Sequence, residues 1–264
     1  MSESKPHRAP AVRLAGRLSV LAAALLIWTV FARGPGQPAD LPTPWQALLA
    51  LVAEMGTADF WLAVGQTLLT TAIGLVASAA IGIPLGVLIG FSRKLDLSTR
   101  VIVDFGRFIP SVALLPLVLL LFGASRAMQV TLILLSAVWP LLIQATYAVR
   151  ELSPQLRNVS RVFHLTFADR LRFVYLPAAM PFLATGVRIA ATVCLLMSVS
   201  AEFLGGAEGV GRNLYLALQV NDGSKIVVYA LTAAGIGIAV TYLFLFLQRQ
   251  VLFWHPSVRG EVAR

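Results

Sequence analysis

The chain has 264 residues, of which 58% are hydrophobic and only 12% charged, with a mean hydropathy of +0.82. Soluble domains carry roughly a quarter charged residues, so a soluble enzyme, a disordered tail and a fibrous repeat are excluded and a polytopic membrane protein is left. The 21 Lys+Arg outnumber the 12 Asp+Glu, a formal net charge of +9. With no basic patch interleaved with aromatics, that excess belongs to membrane-flanking loops and not to nucleic acid.

The first apolar stretch, 18–32, follows a basic start with Lys5, Arg8, Arg13 and Arg17. It is short for a span, but Arg17 can snorkel and lengthen it. It reads as an uncleaved anchor, although Val30-Phe31-Ala32 resembles a signal-peptidase site. Residues 34–44 are rich in Gly and Pro and form an external loop, and 45–55 is a brief interfacial helix. Further spans are expected at 62–91, 101–122, 128–149, 178–201 and 226–247. The second is long enough to tilt or kink, with Pro84 as the place for a kink.

Charge placement orients these six spans. Sixteen of the 21 basic residues fall on one side, counting both tails, 91–100, Arg107, 150–177 and Arg249 at the end of the last span. Arg33, Arg126, Arg212 and Lys225 fall on the other, and Arg188 lies within a span. The positive-inside rule then makes both termini cytoplasmic. The chain divides into a tail (1–17), a first transmembrane helix (18–32), an outer loop with its interfacial helix (33–61), a core (62–250) containing the inner loop 150–177, and a second tail (251–264). The fold class is all-α and polytopic, with about six transmembrane helices.

Catalytic machinery is not legible. The three lysines, Lys5, Lys94 and Lys225, never follow a glycine, so no phosphate loop exists. His7, His164 and His255 lie outside the spans, and no hydrolase or metalloprotease motif occurs. No catalytic, cofactor or metal site is expected. Cys194 reads as a small buried hydrophobe.

Gly74, Ser78, Gly82, Gly86 and Gly90 recur every fourth residue and make one smooth helix stripe. It marks close packing, within the chain or across a subunit boundary. Asp104 and Arg107 form a local ion pair at the start of the third span. Pro110 and Pro116 interrupt that span, and Ser111 lies between them as a path-lining candidate.

The loop 150–177 contains two helix-start signals. Ser153-Pro154 opens the first, with Leu156, Val159 and Phe163 on one side and Arg157, Ser160, Arg161 and His164 projecting differently. Thr166 to Asp169 resembles a capping box and opens the second, which ends at Leu176-Pro177. Two short amphipathic helices on the cytoplasmic face suit a surface anchor or docking into a groove of another protein.

Over 41–254 the chain resembles the permease subunit of a bacterial binding-protein-dependent ABC importer of the nitrate, sulfonate and taurine type. The resemblance rests on LPTPWQALLAL (41–51), IGIPLGVLIGFSRKL (81–95), RFIPSVALLPLVLLLFG (107–123), YLPAAMPFLATGVRIA (175–190) and AEFLGGAEGVGRNL (201–214). The family's cytoplasmic loop reads E-A-A-x-x-x-G and, downstream, I-x-L-P. Leu176-Pro177 matches its end, while Asn158, Val159, Ser160 and His164 stand where the glutamate, the two alanines and the glycine belong.

The resemblance implies a type I importer transmembrane domain whose loop is a pair of coupling helices. Its expected partners are a cytoplasmic ABC ATPase dimer, a second permease of the same or a different chain, a periplasmic or lipid-anchored substrate-binding protein, and membrane lipid. It implies ATP hydrolysis in a separate subunit, no cofactor in this chain, and residence in the bacterial inner membrane. Docking of the motor falls to Arg157, Asn158, Ser160, Arg161, Phe163, His164, Leu176 and Pro177. The diverged head of the motif suggests a non-identical permease partner with an intact loop.

Arg188 is the charged residue deepest in a span and could attract an anion; the alternative is pairing with a carboxylate or snorkelling. Glu202, beside Ser198 and Ser200, could gate, meet the binding protein or accept an amino group. The glycines at 205–211 are expected to form a flexible outer loop, and Trp139 and Trp254 to anchor at the interface or pack. An ATP-independent transporter or channel is the alternative; it predicts repeated halves or several buried ionisable groups. A membrane-embedded enzyme lacks its His, Ser or carboxylate set.

Overall fold

A computed structural model describes residues 10–34, 41–150, 163 and 166–253, and every regular element among them is helical. In chain order these are α1 (Pro10–Arg33), α2 (Pro44–Met55), α3 (Ala58–Phe91), α4 (Arg93–Phe108), a 3-10 turn (Ser111–Leu114), α5 (Leu115–Phe122) and α6 (Arg126–Arg150). A single turn, α7 (Phe167–Asp169), leads through a π-helical segment (Arg170–Tyr175) into α8 (Leu176–Gly205), followed by α9 (Val210–Gln219) and α10 (Gly223–Val251).

Four of these are long and apolar enough to cross a membrane: α3, α6, the stretch Arg172–Gln219 built on α8, and α10. A fifth crossing arises only if α4 and Ser111–Phe122, bent 77° from each other, count as one. The apolar part of α1, Leu18–Arg33, falls below that length. The expected third span therefore changes character. It begins at Arg93 and not near residue 101, and α4 carries Arg93, Lys94, Asp96, Arg100, Asp104 and Arg107, too many charges for a span. The break has a local cause. Pro110 disfavours helical geometry in the residue before it, and Ile109 is extended at φ −66°, ψ 119°. Pro116 does no such damage, because it occupies the first turn of α5, where no amide partner is needed. Likewise α3 runs unbroken through Pro84.

Caps set several boundaries. Thr43 and Gln46 form a reciprocal capping box on α2, with the Gln46 amide donating to Thr43 Oγ1 at 3.4 Å and the Thr43 amide to Gln46 Oε1 at 2.9 Å. Thr57, Ser92 and Asp222 cap α3, α4 and α10 through their side chains.

The packing centre is α3 against α6 and α6 against α8. Lipid tails are as apolar as Leu, so close contact between helices matters more here than water exclusion. The glycine stripe supplies that contact within the chain. A Cβ on Gly82 would lie 3.0 Å from Leu141 Cβ, and one on Gly90 would lie 2.7 Å from Val149 Cβ. The Thr146 hydroxyl reaches the Gly86 carbonyl of the facing helix at 3.0 Å and its own Leu142 carbonyl at 2.9 Å. Met128, Leu132, Ile133, Leu141, Ala190 and Cys194 fill the core between these helices. A second cluster, with Phe60, Leu195, Val210, Val228 and Tyr229, ties α3, α8, α9 and α10 together.

One further expectation is corrected, and the Trp139 alternatives are decided. The second loop helix does not end at Leu176-Pro177. Thr166 accepts from the Asp169 amide at 3.3 Å as expected, but the chain then continues helically into α8. Pro177 lacks an amide hydrogen and crowds the carbonyl one turn before it, and the π-helical turn at Arg170–Tyr175 lies where that crowding falls. Trp139 packs its ring over Gly106 of α4, where a Cβ would collide with it. Arg157, Asn158, Ser160, Arg161, His164 and Trp254 lie outside the described residues.

Candidate functional site

The two ends of the bundle differ in chemistry. At one end lie the basic residues of α4, Arg150 at the end of α6, and Arg170 and Arg172 in the π-helical segment that leads into α8. Asp104 pairs with Arg107 at 3.1 Å, as the sequence suggested. Asp96 pairs with Arg150 at 2.9 Å, which joins α4 to the last residue of α6. Arg150 is also where the 150–177 loop begins. Phe163 is exposed, Leu176 is exposed and Pro177 is half-buried.

At the other end, α8 reverses into α9 through a loop that is not loose. Gly206 takes the left-handed conformation at φ 73° and its amide donates to the Glu202 carbonyl at 3.1 Å, a glycine helix stop. Gly209 sits at φ 153°, and a Cβ there would strike the Glu202 carboxylate. Glu202 is wholly buried and accepts three hydrogen bonds: from Thr67 Oγ1 at 2.9 Å, from the Gly211 amide at 2.9 Å and from Ser198 Oγ at 3.0 Å. The expected flexible glycine loop is thus a packed turn around a carboxylate. Beside it, a cavity of about 630 Å³ is lined by residues that include Glu54, Asp59, Glu208, Arg212, Lys225 and Tyr229. Glu54 closes its wall, pairing with Lys225 at 3.0 Å and accepting from the Tyr229 hydroxyl at 3.0 Å.

The sequence matches, over residues 82–253, the family described as binding-protein-dependent transport system inner membrane component. The chain belongs to this family. It is 32% identical over 240 residues to the bicarbonate transport system permease protein CmpB of Synechococcus elongatus, covering 86% of each chain. It is 30% identical to the nitrate import permease protein NrtB of Synechocystis, over 88% of this chain and 87% of the relative. It is 28% identical to the taurine transport system permease protein TauC of Escherichia coli, over 92% and 90%. The fold matches a chain of the methionine ABC transporter MetNI in an inward-facing conformation, at a TM-score of 0.60 and 22% identity, covering 80% of this chain and 98% of that one.

This permease does not gather its path candidates into one set. Arg188 is half-buried on α8, and no ion pair or hydrogen bond reaches its guanidinium among the described residues. Its neighbour one turn on, Thr192, is exposed and donates to the Arg188 carbonyl at 3.2 Å. Ser198 and Glu202 turn into the closed face, Ser200 is half-buried, and Ser111 is buried in the 3-10 turn. Three contributors were missed: Thr67, Thr70 and Gln129, all buried, with Thr70 donating to Gln129 Oε1 at 3.2 Å. A signal existed, because Thr67, Thr70 and Thr71 precede Gly74 at helical spacing and extend its stripe.

Proposed function

We propose that this permease forms part of the translocation path of an ATP-driven importer for a small anion such as nitrate, bicarbonate or a sulfonate. The observation that carries it is the similarity, over most of each chain, to permeases named for bicarbonate, nitrate and taurine, the last a sulfonate. Arg188 on α8, without a partner among the described residues, supports an anionic solute, because an uncompensated guanidinium in a span is costly unless it faces a partner or a wet path.

The basic end of the bundle faces the cytoplasm by the positive-inside rule. A separate ATPase dimer grips the 150–177 loop through Arg157, Asn158, Ser160, Arg161, Phe163 and His164, with Leu176 and Pro177 at its return into α8. The Asp96–Arg150 pair lies where that loop leaves α6, which supports a mechanical role for this end. A substrate-binding protein delivers solute at the opposite end, and a second permease, identical or carrying an intact loop motif, completes the path.

The test is ATP-dependent uptake of labelled nitrate, bicarbonate and taurine into vesicles holding the permease with its ATPase and binding protein. Reversing the charge of both Arg157 and Arg161 is expected to abolish ATPase pull-down and uptake. Uptake that proceeds without the ATPase favours a secondary transporter and defeats the proposal.

A further inference from the structure

Glu202 is the one charged side chain in full burial among the described residues, and its surroundings assign it a task. The helix α9 starts on Gly209, which has no side chain to accept from the helix's first amides. Those amides are instead satisfied from two other helices. The Val210 amide donates to Thr67 Oγ1 of α3 at 3.0 Å, and the Gly211 amide to Glu202 Oε2 of α8 at 2.9 Å. Thr67 in turn donates to the same carboxylate oxygen at 2.9 Å, while Ser198 holds the other oxygen at 3.0 Å.

The glycines complete the fit. A Cβ on Gly209 would collide with the carboxylate, and one on Gly211 would lie 2.8 Å from Glu202 Cβ. A weaker strut comes from α6, where Gln129 Nε2 donates to the Glu208 carbonyl at 3.5 Å. The N-cap and first turn of α9 also supply Gly209 and Arg212 to the wall of the cavity at this end.

We propose that Glu202 is a positioning residue for transport. Its carboxylate is the N-cap that α9 does not carry, and it clasps α9 to α3 and α8 so that the three move as one body and the cavity wall keeps its shape. The transport half of this inference rests on the importer reading above; the clasp itself does not.

Two readouts separate them: amide exchange of the full-length permease in its complex, and hydrolysis of ATP with and without the binding protein. Glu202→Ala and Thr67→Val are expected to raise exchange at Val210 and Gly211 about tenfold or more, with α6 unchanged. They are expected to lose stimulation by the binding protein while keeping basal hydrolysis. Glu202→Gln is expected to stay within about threefold of wild type, because its amide oxygen can take two donors and the Ser198 hydroxyl can turn to accept. Unchanged exchange at α9, or a glutamine variant as impaired as alanine, overturns the clasp. Basal and stimulated hydrolysis falling together overturns the positioning role. If Glu202→Ala fails to reach the membrane, Thr67→Val, which keeps the side-chain volume, decides the question. A wild-type complex without ATP-dependent uptake overturns the importer reading and the transport half with it, while the exchange result still judges the clasp.

Discussion

Arg150 and Asp96 face each other at 2.9 Å across α6 and α4, with a third or less of either side chain exposed. The pair ties the amphipathic helix after α3 to the residue where the 150–177 loop begins. A partly exposed pair of this kind is worth about 1 kcal/mol or less, so its value lies in register more than in stability. Asp96→Lys is expected to shift the thermal midpoint in detergent by only a few degrees yet to lower uptake. The exchanged pair Asp96→Arg with Arg150→Asp is expected to restore it. Failure of the exchange to recover any uptake would show that the contact is incidental.

The contact between α3 and α6 is far less forgiving. A Cβ on Gly86 would lie 2.7 Å from Ala145 Cβ and would also meet the Leu142 carbonyl. Backbone cannot swing aside as a side chain can, so Gly86→Ala is expected to cost about 1–3 kcal/mol. Gly65 on the same helix has nothing within 4 Å of a would-be Cβ. Gly65→Ala is therefore expected to be neutral or slightly stabilising, since alanine is the better helix former. Thermal unfolding of both variants in one detergent compares them directly, and equal midpoints would contradict the packing argument.

What was legible in the sequence was local or periodic. The stripe from Gly74 to Gly90 could be read because helical geometry turns a four-residue repeat into one face. The Asp104–Arg107 pair and the break at Pro110 needed only neighbouring residues. The turn around Glu202 was not legible, because its decisive bond joins residues 135 apart in the chain, and glycines alone suggested looseness. The same holds for Asp96 with Arg150. Trp139 was open to two readings because the sequence shows neither the gap over Gly106 nor its size. The length of a helix was also misjudged where charges and apolar residues alternate, as in α4, because an interfacial helix and the end of a span look alike until the bend is seen.

Glu54 offers a third test. It holds Lys225 at 3.0 Å and the Tyr229 hydroxyl at 3.0 Å, joining α2 to the start of α10 at the rim of the cavity. Its side chain is 16% exposed while that of Lys225 is 48% exposed, so screening takes most of the Coulombic gain. Glu54→Gln keeps an acceptor for Tyr229 and is expected to lose about 1 kcal/mol or less. Glu54→Leu removes both partners from a nearly buried position and is expected to cost about 1–3 kcal/mol. High salt is expected to narrow the gap between wild type and Glu54→Gln. A gap independent of salt would mean that the hydroxyl contact, not the ion pair, carries the interaction.

Arg188 carries the sharpest prediction about the solute. Its guanidinium lacks a protein partner among the described residues, and the exposed Thr192 lies one turn along the same side of α8. If that side lines the path, the arginine meets the anion in passing and must not hold it tightly. Arg188→Gln removes a charge-assisted contact and is expected to lower uptake about ten- to hundredfold, with stimulated ATP hydrolysis retained because the clasp and the basic end are untouched. Arg188→Lys keeps the charge but not the planar fork, and is expected to recover only part of the rate for each oxyanion, because nitrate, bicarbonate and a sulfonate all offer two oxygens to a fork. Arginine that only snorkels predicts a different pattern: lysine would then serve as well as arginine for every solute, and glutamine would lower the amount of protein in the membrane instead of the uptake per molecule.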